Sequence, residues 1–164
     1  MPYALSLKGA SPWPAVSITA ALRPLKIAPA PCEDPRWPAL SARLEVLRES
    51  GRRALRIVHV PCGDGALLIA AARRARSLGF LSIEAVGADV DPERLERARR
   101  RASLHADSAI GFAFKLAQPL ASLEAEAEFP ADIVLCEAPA GAPKDLLEAA
   151  ARAGDLVLRA RLSA

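Results

Sequence analysis

An apolar run, Ala54-Leu55-Arg56-Ile57-Val58-His59-Val60, stops at Pro61 and opens into Cys62-Gly63-Asp64-Gly65, and an alanine- and leucine-rich pattern then continues to Leu78 before Gly79. The β-branched run reads as a buried strand and the two glycines as a tight turn. Residues 65–78 read as a helix that stops at Gly79. The order then repeats. Residues 83–89 read as a second strand, after which Asp91 caps a helix with Pro92 in its first turn and Leu95, Ala98 and Ala102 as its buried stripe. Strands alternating with helices in this way predict a parallel sheet covered on both faces.

The rest of the chain extends the pattern. Residues 110–115 read as a third strand, residues 120–128 as a loose helix, and residues 132–136 as a fourth strand. A Pro/Gly loop, a helix over 144–153 ending at Gly154 and a last strand over 155–159 complete it. The expectation is an α/β fold, Rossmann-like and doubly wound, with a mainly parallel sheet of about five strands and helices on both faces. Ahead of it, eight of the 14 prolines fall in residues 1–38. We read 1–38 as a Pro-rich N-terminal segment that wraps over or stays mobile beside the domain at 39–164, whose first helix follows the helical spacing of Leu40, Leu44 and Leu47.

Composition sets what this fold can be made of. A chain of 164 residues fits one domain, and folding at that size hides roughly 70% of the unfolded surface. Aromatic residues make up only 4%, so the core is expected to be aliphatic. Cys32, Cys62 and Cys136 form no C-x-x-C pair or Cys/His cluster with metal-ligand spacing, which points to reduced thiols in a cytoplasmic protein. Pro12, Pro14 and Pro24 break the apolar stretch that a signal peptide needs, and nothing later approaches the roughly 20 apolar residues of a membrane helix. The net charge of +3 gathers in two arginine clusters, 73–76 and 94–101, without interleaved aromatics. They read as solvated helix faces, so nucleic acid is not indicated.

In an open parallel sheet, ligands sit beyond the carboxyl ends of the strands where the strand order reverses. That directs attention to the loops at 61–65, 89–91, 115–118 and 136–143. Gly63 and Gly65 remove Cβ atoms where backbone passes close to a ligand, and the following helix presents unpaired N–H groups. Asp89 ends the next strand 24 positions after Gly65, a spacing close to that of a carboxylate accepting ribose hydroxyls. Asp91 reads as a helix cap, and His59 as a pocket group or, the commoner case for a lone histidine at a strand end, a satisfied structural residue.

These residues carry a resemblance. Residues 57–65 followed by residues 86–95 resemble the first two motifs of class I S-adenosylmethionine-dependent methyltransferases, and residues 132–135 resemble their fourth-strand motif. The resemblance spans roughly residues 54–160 and implies S-adenosylmethionine as cofactor. By it, Cys62, Gly63, Asp64 and Gly65 form the turn against the methionine part, Asp89 accepts both ribose hydroxyls, and Val90 packs on adenine. Leu116 completes the adenine pocket, while Cys136, Glu137, Ala138 and Pro139 face the methyl group and the substrate. Glu137 is the candidate catalytic base. Departures are His59 where the family commonly has an acid, Pro61 where it has glycine, and Lys115-Leu116-Ala117-Gln118 where an acidic residue is common. The chain ends at Ala164, soon after the fifth expected strand, whereas such enzymes usually add two more.

The resemblance implies methyl transfer to a small-molecule or protein acceptor. No Asn-Pro-Pro-Tyr-like sequence is present to support an amino acceptor on a base or glutamine. A non-catalytic binding or partner subunit that keeps the crevice is the alternative. A nicotinamide oxidoreductase is disfavoured because the turn lacks the full G-x-G-x-x-G spacing. An exposed sheet edge makes a homodimer an expectation.

Overall fold

The computed structural model describes residues 30–138 and 141–160. The expectations for residues 1–29 and for Pro139 lie outside the described residues. A 3₁₀ turn at Pro31–Glu33 leads into α1 (Trp37–Glu49), and the order continues β1 (Ala54–Val60), α2 (Ala66–Ser77), β2 (Ser82–Asp89), α3 (Pro92–Ser103) and β3 (Ile110–Leu116). It finishes with α4 (Pro119–Glu126), β4 (Ile133–Glu137), α5 (Lys144–Arg152) and β5 (Val157–Ala160). The first helix, expected from Leu40, begins at Trp37 because Pro38 fits the first turn, where its missing N–H has no helical partner to lose. The last strand, expected from residue 155, starts at Val157; ahead of it, Gly154 makes an isolated parallel bridge with Ala131, whose carbonyl accepts the Asp155 N–H.

The five strands pair in parallel in the order β3-β2-β1-β4-β5. The order reverses between β1 and β4, so the crevice of an open α/β sheet falls at the carboxyl ends of those two strands. Strand phase assigns the layers. Leu55 and Ile57 of β1, Ile83 and Ala85 of β2, and Ile133 and Leu135 of β4 pack with Leu40, Leu44, Leu68 and Ala72 of α1 and α2. Alternate residues Val58, Val60, Val86, Val134 and Cys136 pack with Leu123 of α4 and Ala149 and Ala150 of α5. The sheet is therefore covered on both faces by aliphatic cores.

At the opposite end of the sheet the buried charges are paired. Asp132 takes Arg52 and the Arg56 N–H, and the buried Glu126 takes Arg56 and Lys115. Asp91 caps α3 by accepting the N–H groups of Glu93 and Arg94, as its sequence position predicts.

Candidate functional site

Even-numbered spacing along a strand keeps side chains on one face. His59, Asp89 and Glu137 each share the phase of the residues packed under α1 and α2, and each stands at or near the carboxyl end of its strand. The fold thus brings them to one side of the β1–β4 crevice.

The first turn is held from β2. Gly63 and Gly65 take positive φ values of 56° and 76°, a region that side chains with a Cβ rarely enter. A Cβ on Gly65 would meet Ala98 Cβ at 3.0 Å, whereas the space above Gly63 is open. Gly65 is the N-cap of α2 and offers no side chain to the first amides of that helix. Asp64 accepts the Ala66 N–H and pairs with Arg101 at 3.0 Å. Asp89, 2% exposed, receives the Gly63 N–H on Oδ2 at 2.8 Å and the Asp91 N–H on Oδ1 at 2.9 Å. One carboxylate fixes the geometry of both loops.

Beside Asp89 stand two exposed apolar side chains. Val90 follows it in sequence, and Leu116 lies opposite it in the β2–β3 register.

Cys62 and Cys136 are both buried, the first beside Gly63 at the strand ends and the second in an aliphatic layer. Cys62 is buried against Gly87, where a Cβ would stand 2.9 Å from its Sγ. Burial and then the Asp89 charge push the thiol up to about 12, so it remains protonated. Cys136 is buried in the aliphatic layer under α4 and α5, on the face opposite Glu137, because adjacent strand residues point to opposite sides. Burial raises its thiol too.

Glu137 remains half-buried at the end of β4. Burial raises its carboxyl above the ordinary value, with Arg36 opposing and the Asp34 and Asp89 charges adding to the shift. A carboxylate whose pKa is raised is a stronger proton acceptor than an ordinary one.

His59 is not the satisfied structural residue expected from its position. It is 3% exposed, and neither Nδ1 nor Nε2 has a partner among the described residues. Burial and then the neighbouring Arg36 charge lower its pKa to about 3, so the ring is neutral. Arg36 itself is a site residue that sequence reasoning did not single out. Asp34 accepts its backbone N–H and its Nε and Nη2, and Arg36 Nη2 lies 4.0 Å from Glu137 Oε1. Burial alone would raise the Asp34 carboxyl, but the hydrogen bonds and charge of Arg36 bring it below its ordinary value.

Arg36, His59, Cys62, Gly63, Leu67 and Glu137 line a cavity of about 170 Å³. A larger groove of about 600 Å³ flanks the edge strand β3 between Arg99, Phe112 and Phe114 and contains none of the residues at the strand ends. Its size reflects a shallow seam beside α3, so the chemistry is sought at the strand ends. The described residues hold no cluster of His, Cys, Asp and Glu suited to a metal ion, and no described helix is long and apolar enough to cross a membrane.

No protein-family model matches the chain, and none of the curated proteins matches it. Among solved structures it is similar to magnesium protoporphyrin IX methyltransferase from Synechocystis PCC 6803 with bound SAH, at 17% identity and a TM-score of 0.48, over 73% of this chain and 53% of that one. It is also similar to a putative protein-L-isoaspartate O-methyltransferase from Plasmodium falciparum in complex with S-adenosyl-L-homocysteine, at 17% identity and a TM-score of 0.49, over 75% of this chain and 60% of that one. A putative class I S-adenosylmethionine-dependent methyltransferase from Listeria monocytogenes matches at 18% identity and a TM-score of 0.43, over 61% of this chain and 29% of that one. The chain spans less than two thirds of each of these proteins. The chain's own strand order, β3-β2-β1-β4-β5 and all parallel with helices on both faces, is that of a Rossmann-like α/β sheet.

Proposed function

We propose that the chain binds S-adenosylmethionine at the β1–β4 crevice and transfers its methyl group to an acceptor that meets Glu137. The observation that supports this reading is the grouping of Asp89, the exposed Leu116 beside it and the Gly63–Gly65 turn at one set of strand ends. These residues fit the cofactor. The open space over Gly63 admits a ligand close to backbone. Asp89 has lone pairs beyond those used by Gly63 and Asp91 for ribose hydroxyls. Val90 and Leu116 offer apolar surface for the adenine ring.

The cofactor supplies a methyl group activated on a sulfonium. Positioning and exclusion of water then do most of the work, and Glu137 takes a proton from an acceptor that carries one. Isothermal titration with S-adenosylmethionine and S-adenosylhomocysteine tests the reading. Binding by the parent and its loss in Asp89→Ala is the expected result, and no binding by the parent overturns it.

A second reading, binding without turnover, draws on the burial of Asp89 and its two backbone bonds, which give that residue a structural role whether or not methyl transfer follows. It predicts cofactor binding with no acceptor-dependent formation of S-adenosylhomocysteine.

A further inference from the structure

The arginine clusters at 73–76 and 94–101 lie on different helices, and the fold brings one member of each to the same hollow. Ala66, Ile69, Ala70 and Arg73 recur at the three- and four-residue spacing that puts side chains on one face of α2. That face lines a hollow of about 310 Å³ together with Arg101 of α3 and His105 just beyond that helix. A second hollow of about 340 Å³ also contains Arg73 and His105 and continues to Arg76 and Asp107. The first adjoins the strand-end cavity through Ala30, Pro31 and Ala66 but contains none of His59, Asp89 and Glu137.

Positive charge is in surplus along this seam. Arg101 Nη2 is paired with Asp64 at 3.0 Å, and Arg76 with Asp107 at 3.1 Å. Arg73, between Arg74 paired with Glu45 and the paired Arg76, makes no ion pair among the described residues. A guanidinium carries five donors and no acceptor, so the whole Arg73 fork and part of the Arg101 fork call for an anion. Phosphate presents several oxygens to such planar forks at once. Ile69, Ala66 and Ala70 add apolar surface, and the hollow is larger than a bare oxyanion needs, which leaves room for the organic part of an ester. No Phe, Tyr or Trp lines either hollow to stack a base, which favours a small ester over a single-stranded nucleic acid.

We propose that the seam between α2 and α3 is a binding site for a small phosphate ester, with Arg73 and Arg101 donating to the phosphate and Ile69 packing against the organic part. S-adenosylmethionine carries no phosphate, so this ligand is distinct from the proposed cofactor and its site does not depend on that reading.

NMR titration with glycerol 3-phosphate at constant ionic strength tests the site, with glycerol and a short oligouridylate as comparisons. His105 is one of two histidines in the chain and the other, His59, is buried, so its ring resonance is assigned by elimination. Saturable shifts of the His105 ring and the Ile69 methyl are expected with the ester, and none with glycerol. Arg73→Gln is expected to weaken that binding about tenfold or more, the consequence of losing a charged hydrogen bond. Arg73→Lys, which keeps the charge but loses the fork, is expected to fall between the two. Arg73 is exposed, and unchanged resonances elsewhere report that both variants are folded. Arg97→Gln removes the same charge from a part of α3 that lines neither hollow and is expected to leave affinity unchanged. The proposal is overturned by an absence of saturable shifts, by equal affinity in the parent and Arg73→Gln, or by equal weakening in Arg97→Gln. Binding of the oligouridylate while the ester stays silent overturns it as well. None of these outcomes bears on the titration with S-adenosylmethionine.

Discussion

The Asp89 carboxylate at the end of β2 receives the Gly63 N–H at 2.8 Å, so the second strand fixes the shape of the turn that follows the first. Asp89→Ala orphans that amide and the amide of Asp91. Each orphaned amide costs about 1–3 kcal/mol, and urea denaturation is expected to show a loss of that order. A variant as stable as the parent would show that these bonds do not hold the turns.

Acid sensitivity is expected from His59. Its pKa is about 3 in the fold against an ordinary histidine value of 6.5 in the unfolded chain. Between those values the unfolded chain binds more protons, so stability falls as pH drops from 6.5 toward 3 and is insensitive to this group above 6.5. The slope from one such group reaches about 1.4 kcal/mol per pH unit. His59→Gln is expected to flatten denaturation midpoints measured from about pH 6.5 to 5, a window above the ordinary Asp34 value of 3.8. A parent with no acid slope in this range contradicts the buried neutral ring.

Glu137 acts in the other direction. Its carboxyl is raised from 4.5, so the folded chain binds the extra proton and stability declines as pH rises through that shifted value. Carbon-detected NMR titration, with the resonance assigned by its absence in Glu137→Gln, is expected to place its midpoint above 4.5. The same variant is expected to keep S-adenosylhomocysteine binding and, once an acceptor is in hand, to lose about 10²-fold or more in turnover. Undiminished turnover would remove Glu137 from the chemistry.

Gly87 is needed for space. A Cβ there would lie 2.9 Å from both Cys62 Sγ and Phe114 Cδ1. Gly87→Val overpacks the seam between β2, β3 and the first turn, with an expected loss of about 1–3 kcal/mol in denaturant unfolding. The companion change Cys62→Ala, which removes one of the clashing atoms, is expected to restore part of it.

The strands and most helices were legible because short apolar runs are bounded by glycine and proline, and Asp91 announced a cap that the structure contains. Grouping of Gly63, Gly65 and Asp89 was legible for the same reason, since the loops after parallel strands converge. Arg36 was not. It sits in a proline-rich stretch with no periodicity, and only packing against the strand ends buries it. The histidine was misread because its burial follows from strand phase together with the cover supplied by the segment before α1. Cys136 and Glu137 were placed together as neighbours, although the two-residue period of a strand sends them to opposite faces. Gly87 carried a usable signal, as an isolated glycine inside a strand often marks a close approach.

The common phase of β1, β2 and β4 sets a limit on how this chain can diverge. His59, Asp89 and Glu137 share a face with the residues that pack beneath α1 and α2, so inserting or deleting one residue within any of these strands would turn its site group outward and its core residues with it. Divergence of the site by strand indels is closed to the molecule. Variation in the loops beyond the strand ends, where length changes leave the phase intact, is the open route.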